Sequence, residues 1–311
     1  MKKKLVGLYI MVVLAMFFWA FSFIWFKMAN KVFAPVTIVF FRLLISAGLL
    51  WLFTKFTGTR QPIKKSDWRH IFVLTLFNPF FYFFGESFGL TFVSSSIGSV
   101  IISLIPLFTP FAAHFFLKER LSLMNWLGII VSFTGVVFIL LVKNTGEFSW
   151  QGVALLLFAV LCAVIYTVML KKLSFRYNAL TLISWQNFLG ALLFLPVFLI
   201  LDGRKLRFDM FSLNNLWPVI ALAVFASSLA FVFYAVGVKN LGAAKTNVFS
   251  NIMPVVTAIF AFILLGEALT FQKIFGIVVV IAGLFLSQIN NPFLTNGFTR
   301  RYHIKIQDRT S

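Results

Sequence analysis

The chain has 311 residues, of which 61% are hydrophobic and only 11% are charged. A soluble domain is typically about 45–50% apolar and about 25% charged, so this chain carries more apolar surface than a soluble core can hide. Its net charge of +19 would suggest nucleic acid in a soluble protein. Here the basic residues lie between apolar runs, where membrane topology places them, so we expect a lipid bilayer and no nucleic-acid partner.

Cysteine and histidine are too sparse to build a reactive or metal-binding cluster. The single cysteine, Cys162, lies in an apolar run and cannot form an internal disulfide. The three histidines are far apart: His70, His114 and His303. No cofactor, metal or disulfide is therefore expected.

Apolar stretches of about 20 residues, the length that spans a bilayer, occur along most of the chain. We predict ten: 5–26, 34–53, 70–90, 94–117, 123–142, 151–170, 179–201, 215–237, 243–265 and 271–289. The first continues too far for a signal peptide and has no cleavage motif. Most Lys and Arg residues fall on one side if the N-terminus is cytoplasmic, which predicts that both termini are cytoplasmic and that this is a multi-pass protein of the cytoplasmic membrane.

One stretch of the sequence occurs twice. The stretch at residues 104–140 recurs at 252–286, and a shift of the chain by 148 positions aligns 104–138 with 252–286 without a gap. The matched pairs are Pro106 with Pro254, Thr109 with Thr257, Glu119 with Glu267, Gly128 with Gly276 and Gly135 with Gly283. Such a repeat indicates two similar halves, which we place at residues 1–143 and 150–289, followed by a basic cytoplasmic tail at 290–311 that we expect to be mobile.

The two halves are predicted to be inverted, because each contains an odd number of spans. The charges agree: Lys118 and Arg120 flank Glu119, whereas the equivalent residues around Glu267 carry no cation. Inverted repeats are a common plan of secondary transporters, which bind substrate near the midplane between the halves. The predicted fold is thus all-α and polytopic, with ten transmembrane helices in two inverted five-helix repeats.

Both copies resemble a known domain. Each has a Pro in one span, then Gly/Lys-Glu-x-Leu-Ser/Thr, then Gly-x6-Gly, and the segments Trp19–Ser22 and Phe41–Arg42 also match. This pattern is similar to the EamA domains of the drug/metabolite transporter superfamily, over about residues 5–289. The resemblance implies a central cavity approached by helices 1, 3, 4, 6, 8 and 9, with helices 5 and 10 peripheral. It also implies substrates that range over amino acids, purines, nucleotide sugars, sugar phosphates and drugs.

Glu86 is the only acidic residue inside a predicted span. An acid at membrane depth is costly unless it is paired or faces water, so its default interpretation is functional: it binds a substrate amine or carries a proton. The alternatives are a neutral Glu bonded to a neighbouring helix, or one that reaches water at the helix end. Asn78 and Tyr82 share its face at i, i+4 and i+8, which favours either a cavity wall or interhelical hydrogen bonds.

Further candidates for substrate binding come from both halves. Asn247 and Asn251 lie one turn apart with Pro254 beyond them, and their repeat mates are Ser99, Ser103 and Pro106. Prolines inside spans free backbone carbonyls, so Pro106 and Pro254 are predicted gating positions; packing of small residues is the alternative. Four more candidates are Trp19, Ser22, Tyr166 and Tyr234. The three aromatic rings among them would clamp a planar or apolar substrate. The alternative is that they face lipid or core, as most aromatic residues in this chain are expected to do.

Other residues are given structural roles. Arg42, inside the second span, either reaches outward or pairs with an acid or a substrate carboxylate, and we favour a structural role. Glu119 and Glu267 are predicted to accept amide hydrogen bonds at the start of the helix that follows each of them. The glycine pairs Gly128/Gly135 and Gly276/Gly283 are predicted close-packing positions between helices.

These patterns favour a secondary transporter, namely an exporter of a small metabolite that works by alternating access. Proton-gradient drive and facilitated exchange both remain open, whereas the absence of a Walker A motif argues against direct ATP drive. Amino acids, aromatic ones included, are the leading substrate class. The alternatives are a polytopic enzyme acting on a lipid-linked substrate and a channel or scaffold; the oligomeric state is left open.

Overall fold

The structure is a computed structural model that describes residues 2–109, 112, 123–140 and 149–288. In these ranges the regular structure is helical. The main helical segments are, in chain order, α1 Lys2–Ala29, α2 Pro35–Phe56, α3 Lys65–Phe92, α4 Ser95–Thr109, α5 Leu123–Leu140, α6 Trp150–Ser174, α7 Ala179–Leu201, α8 Leu213–Leu241, α9 Lys245–Leu265 and α10 Phe271–Gln288, with short 3-10 turns at Gly203–Lys205 and Phe208–Met210.

Seven of these segments are long and apolar enough to cross a membrane, and within the described residues three further apolar helical stretches are shorter: Ser95–Thr109, Trp126–Ile139 and Phe271–Ser287. The prediction of an all-helical, multi-pass membrane protein is confirmed at that level. The predicted tail 290–311, His114 and Glu119 lie outside the described residues.

Two helices are interrupted at equivalent places in the two halves. In α3, residues Leu76–Phe81 form a π-helical stretch in which Asn78 has an extended backbone just before Pro79. In α8, residues Leu222–Ala230 are also π-helical, and the shift of 148 residues brings this stretch onto 74–82. Because π-helical stretches occur frequently at functional sites, these two mark a candidate region for a site.

The next helix of each half is also interrupted, just before its repeated proline. In α4 the regular helix ends at Ile102 and resumes after a turn, with Pro106 in the resumed part. In α9 a 3-10 turn at Phe249–Ile252 precedes the α-helix Met253–Leu265, which begins beside Pro254. Proline lacks the amide needed for the intrahelical bond, which explains why both breaks precede it.

Helices α5 and α10 pack closely against each other through their glycines. A Cβ added at Gly283 would lie 2.5 Å from the backbone nitrogen of Ser132, and one at Gly135 would lie 2.8 Å from that of Val280. The Ser132 hydroxyl also donates to the Val280 carbonyl at 3.1 Å. The close packing predicted for the glycine pairs is therefore confirmed.

Glu267 stabilises a helix end, but not the one predicted. Its carboxylate accepts hydrogen bonds from the Ser95 amide (2.7 Å), the Ser96 amide (3.2 Å) and the Ser96 hydroxyl (2.6 Å). These groups begin α4, in the other half of the chain. The prediction of the following helix, α10, was wrong, because Thr270 occupies that place: its hydroxyl accepts the Lys273 amide at 3.2 Å.

Hydrogen bonds between loops and the starts of α2 and α7 join the two halves. Thr37, the third residue of α2, donates its amide and its hydroxyl to the Asp202 carboxylate, both at 3.2 Å. Thr181, the third residue of α7, accepts the Gln61 amide at 3.0 Å. In each half, these hydrogen bonds to the other half are therefore made by the third residue of its second helix.

A buried carboxylate adds to the contact at the start of α7. Asp67 accepts from the Tyr177 hydroxyl at 2.7 Å and from Arg176 at 2.6 Å. Burial raises the pKa of Tyr177 above its ordinary value, so this phenol stays protonated and keeps donating to the carboxylate. The first turn of α3 is thereby fixed to the α6–α7 connection.

Candidate functional site

A cavity with an empty volume of about 560 Å³ lies among six helical segments, three from each half of the chain. Among the described residues, α1, α3 and α4 contribute lining side chains from the first half, and α6, α8 and α9 from the second. These are the six helices that the resemblance placed around the cavity.

One side of the wall is polar and is built by α3. The Tyr82 hydroxyl donates to the Glu86 Oε1 carboxylate oxygen at 2.8 Å, and Glu86 is only 6% exposed. Asn78 lies on the same wall, where its carbonyl accepts from the Gln186 side-chain amide at 3.0 Å. The three residues predicted to share one face of this helix therefore line one cavity, even though the helix is interrupted at Asn78.

Arg42 lies behind this wall and faces Glu86. Its Nη1 is 4.0 Å from the Glu86 Oε2, its Nε donates to the Ser227 hydroxyl at 2.8 Å, and its guanidinium carbon is 4.2 Å from the centre of the Phe83 ring. Of the interpretations considered for Arg42, pairing with an acid is the one observed. Its contacts join α2, α3 and the π-helical stretch of α8.

Polar side chains around Ser227 form a second buried layer. The Asn187 side-chain amide donates to the Ser46 hydroxyl at 2.6 Å and to the Ser227 carbonyl at 2.9 Å. The hydroxyls of Ser46 and Ser228 are 2.6 Å apart, and Ser228 donates to the Ala223 carbonyl at 2.8 Å. The carbonyls and hydroxyls of the irregular stretch of α8 are thereby satisfied in a buried setting.

The opposite wall belongs to the second half and centres on Tyr234, the repeat mate of Glu86. The Tyr234 hydroxyl donates to Asn247 Oδ1 at 2.7 Å and lies 2.9 Å from the Thr167 hydroxyl. The Asn247 side-chain amide in turn donates to the Thr109 hydroxyl at 3.1 Å. This chain of hydrogen bonds joins α6, α8, α9 and α4 without a charged group.

Aromatic rings enclose the space between these walls. Trp19 lies 5.0 Å from Phe231 and 5.1 Å from Tyr234, measured between ring centroids. Its indole N–H donates to the Ala226 carbonyl at 3.2 Å, which fixes the ring against α8. Ser22 lines the cavity one turn away and donates to the Trp19 carbonyl at 2.7 Å.

The structure brings together eight of the ten residues that the sequence nominated for binding. Those that line the cavity are Trp19, Ser22, Asn78, Tyr82, Glu86, Tyr166, Tyr234 and Asn247. Ser103 is buried outside it and donates to the Val100 carbonyl of its own helix at 2.7 Å. Asn251 is also buried elsewhere, and its amide has no hydrogen-bond partner among the described residues.

Ser103 and Asn251 do not line the cavity, and the physical reason is the same for both. Both lie in the interruptions of α4 and α9 that precede the prolines. A helical periodicity of i and i+4 no longer describes which way a side chain faces after such a break. Asn247 precedes the break in α9 and keeps its cavity position, whereas Asn251 follows in the 3-10 turn.

Sequence reasoning also missed residues that the structure places at the site. Thr167 and Ser250 line the cavity, and Gln186 and Asn187 support it from behind, together with Arg42, for which pairing with an acid was one of the predicted interpretations. Thr167 directly follows Tyr166, which was predicted to bind substrate, so the sequence offered a weak indication that this part of α6 lies at the site. The supporting side chains come from α2 and α7, and periodicity within one helix carries no information about them.

A family model described as the EamA-like transporter family matches the chain twice, at residues 7–141 and 150–288. The chain belongs to the EamA-like transporter family. It therefore contains two EamA domains, as in the drug/metabolite transporter superfamily.

Proteins similar to this EamA-family chain are named as transporters. An uncharacterized transporter of Archaeoglobus fulgidus is 30% identical over 89% of this chain and 97% of its own length. The uncharacterized transporter YdfC of Bacillus subtilis is 24% identical over 97% of this chain and 99% of its own. A solved crystal structure at 15% identity superimposes with a TM-score of 0.69 over 92% of this chain and 99% of that one, which shows a shared fold.

Proposed function

We propose that this EamA-family protein is a secondary transporter that exports a small metabolite across the cytoplasmic membrane by alternating access, with the central cavity as its binding site. The supporting observation is that both halves build the cavity, each with three helical segments. A site shared between two similar halves is the arrangement in which rocking of one half against the other exposes the site to either side in turn.

Amino acids, aromatic ones included, are the leading substrate class. The cavity combines a carboxylate, Glu86, with the aromatic rings of Trp19, Tyr166 and Phe231, which suits an amine on a planar or apolar body. Either a proton gradient or exchange of substrates would drive the transport, and a proton on Glu86 is one way to couple it. The interruptions before Pro106 and Pro254 are the proposed hinges of the gates.

A membrane enzyme would need a second proton-exchanging group beside Glu86. The ionisable partners found there are the Arg42 guanidinium and the Tyr82 phenol. Arginine does not lose its proton in proteins, and the phenol is already a donor to the carboxylate. The names of the similar proteins also favour transport.

The experiment is a thermal-shift screen of the purified full-length protein and its Glu86→Gln variant against amino acids, nucleosides, nucleotide sugars and sugar phosphates. A ligand at about 100 times its dissociation constant stabilises the folded state by about 2.7 kcal/mol. We expect amino acids to stabilise the wild type and the variant to lose that response. Equal stabilisation of both proteins would contradict the role of Glu86, and stabilisation by phosphorylated ligands alone would contradict the substrate class.

A further inference from the structure

The charge balance of the cavity is set by one pair of residues. Among the described residues that line the cavity, Glu86 is the one with a carboxyl group, and no lysine, arginine or histidine lines it. Arg42 lies next to it, outside the lining residues, and is 2% exposed. The wall and the layer behind it therefore hold one anion and one cation.

Arg42 is held where it is and does not belong to the lining of the site. Its Nε donates to the Ser227 hydroxyl at 2.8 Å, and its guanidinium lies 4.2 Å from the centre of the Phe83 ring. The Nη1–Oε2 separation from Glu86 is 4.0 Å, which gives charge compensation without a short hydrogen bond. Tyr82 occupies the other carboxylate oxygen of Glu86, so the carboxylate is fixed from two sides.

Two opposite charges that are both fixed and buried act on a ligand as a net neutral site. A buried guanidinium keeps its charge, and a buried charge without a counter-charge is strongly unfavourable. A ligand that brings one net charge into this cavity would leave one charge uncompensated. A ligand of zero net charge leaves the Arg42–Glu86 balance intact.

We propose that Arg42 determines substrate specificity by cancelling the charge of Glu86, so that the cavity selects zwitterionic substrates over organic cations and over anions. This inference rests on the proposed function, because it assigns a substrate charge to the same cavity. A zwitterion would present its ammonium group to Glu86 and its carboxylate to the side-chain amide of Asn78 on the lining. An amine without a carboxylate meets an anion that Arg42 has already balanced.

The test uses three probes with one aromatic body and different charge: phenylalanine, phenethylamine and 3-phenylpropionate. They carry net charges of zero, plus one and minus one at neutral pH. Each is titrated by thermal shift into four full-length proteins in the same detergent: the wild type, Arg42→Met, Glu86→Gln and the double variant. Arg42→Lys is the matched control, because it keeps the positive charge.

The wild type and Arg42→Lys should bind phenylalanine more tightly than either singly charged probe. In Arg42→Met the uncompensated carboxylate should shift the ratio of the two dissociation constants toward phenethylamine by about tenfold or more, as expected for unit charges near 4 Å in a partly polar interior. Glu86→Gln should shift the preference toward 3-phenylpropionate. The double variant should lose both shifts, because its cavity is neutral again.

The same four proteins give a second measurement that needs no ligand. If the two charges compensate each other, each single variant should unfold at a lower temperature than the double variant, since a single change leaves one buried charge alone. Additive losses in the double variant would overturn the pairing.

The outcomes distinguish a failure of this inference about Arg42 from a failure of the proposed function on which it rests. Binding of the probes with the same charge ranking in the wild type and in Arg42→Met overturns the role of Arg42 and leaves the cavity as the binding site. A gain of phenethylamine binding in Arg42→Lys as large as that in Arg42→Met also overturns it, because that control keeps the charge. Lack of any probe binding by all the proteins contradicts the proposed amino-acid site and the inference that rests on it.

Discussion

At the scale of single residues, the site consists of side chains whose polar atoms are already engaged by neighbours from other helices. Glu86 is held by Tyr82 and faces Arg42, and Tyr234 is held between Thr167 and Asn247. A buried polar group that loses its partner costs about 1–3 kcal/mol. Fixed groups of this kind need no rearrangement of side chains before a ligand binds.

Replacing Tyr234 with phenylalanine should therefore destabilise the protein although the residue keeps its ring. The substitution leaves Asn247 Oδ1 without its donor and breaks the link between α6 and α9. We expect a loss of about 1–2 kcal/mol in unfolding free energy, measured as a lower melting temperature. Tyr9→Phe is the control, because Tyr9 is 38% exposed; equal melting temperatures for the two variants would contradict the prediction.

At the scale of helices, contacts at helix ends and at glycine crossings add to the buried hydrogen bonds that hold the two halves together. The carboxylate of Glu267 serves the first turn of α4, and Asp202 serves the first turn of α2. A carboxylate stabilises a helix N-terminus because it accepts unpaired amide hydrogens and faces the positive end of the helix dipole. The start of one half is thus stabilised by a side chain of the other.

Glu267→Gln should weaken this contact, because glutamine brings no charge and has one acceptor oxygen for three donors. We expect a loss of about 1–2 kcal/mol in stability, measured by thermal unfolding. The matched control is Asp209→Asn, which removes the carboxylate of an exposed ion pair with Arg207 that is worth little. A melting temperature of Glu267→Gln equal to that of the control would show that the cap contributes nothing.

Gly283→Ala should disrupt the crossing of α5 and α10. Its Cβ would lie 2.5 Å from the Ser132 backbone nitrogen, so the two helices must separate at a cost of about 1–3 kcal/mol. Gly48→Ala is the control, because a Cβ at Gly48 in α2 meets no atom within 4 Å and alanine favours the helix. Unfolding should be earlier for the first variant and unchanged or later for the second; no difference between them would contradict the crossing.

At the scale of the whole molecule, the sequence repeat explains more of the structure than any single motif. The shift of 148 residues relates the interruption of α3 to that of α8, and the break before Pro106 to that before Pro254. The same repeat places Glu86 and Tyr234 on opposite walls of one cavity. A charged wall therefore faces an uncharged one across a site that both halves build.

The sequence predicts contacts between residues that are close in the chain, and it does not predict contacts that arise only when helices pack together. Periodicity within one helix correctly grouped Tyr82 with Glu86, because neighbours at i and i+4 share a face, and Asn78 lines the same cavity although the helix is interrupted there. It failed at Asn251, where the helix is interrupted. It could not find the contact of Arg42 with Ser227 or that of Glu267 with Ser95, because these pairs are far apart in the chain and meet only through the packing of helices.

The central claim is that one cavity is exposed to each side of the membrane in turn, and labelling of a single cysteine tests it without knowledge of the substrate. Cys162 is the one cysteine of the chain, so Cys162→Ala gives a cysteine-free background. Ser22→Cys in that background places a thiol on the cavity wall. Ser132→Cys, at the crossing of α5 and α10, is the buried control.

The two variants are reacted with a membrane-impermeant maleimide in right-side-out and in inside-out vesicles. Alternating access predicts that Ser22→Cys is labelled in both preparations and that Ser132→Cys is labelled in neither. Labelling of Ser22→Cys from only one side, or from neither, would contradict the account.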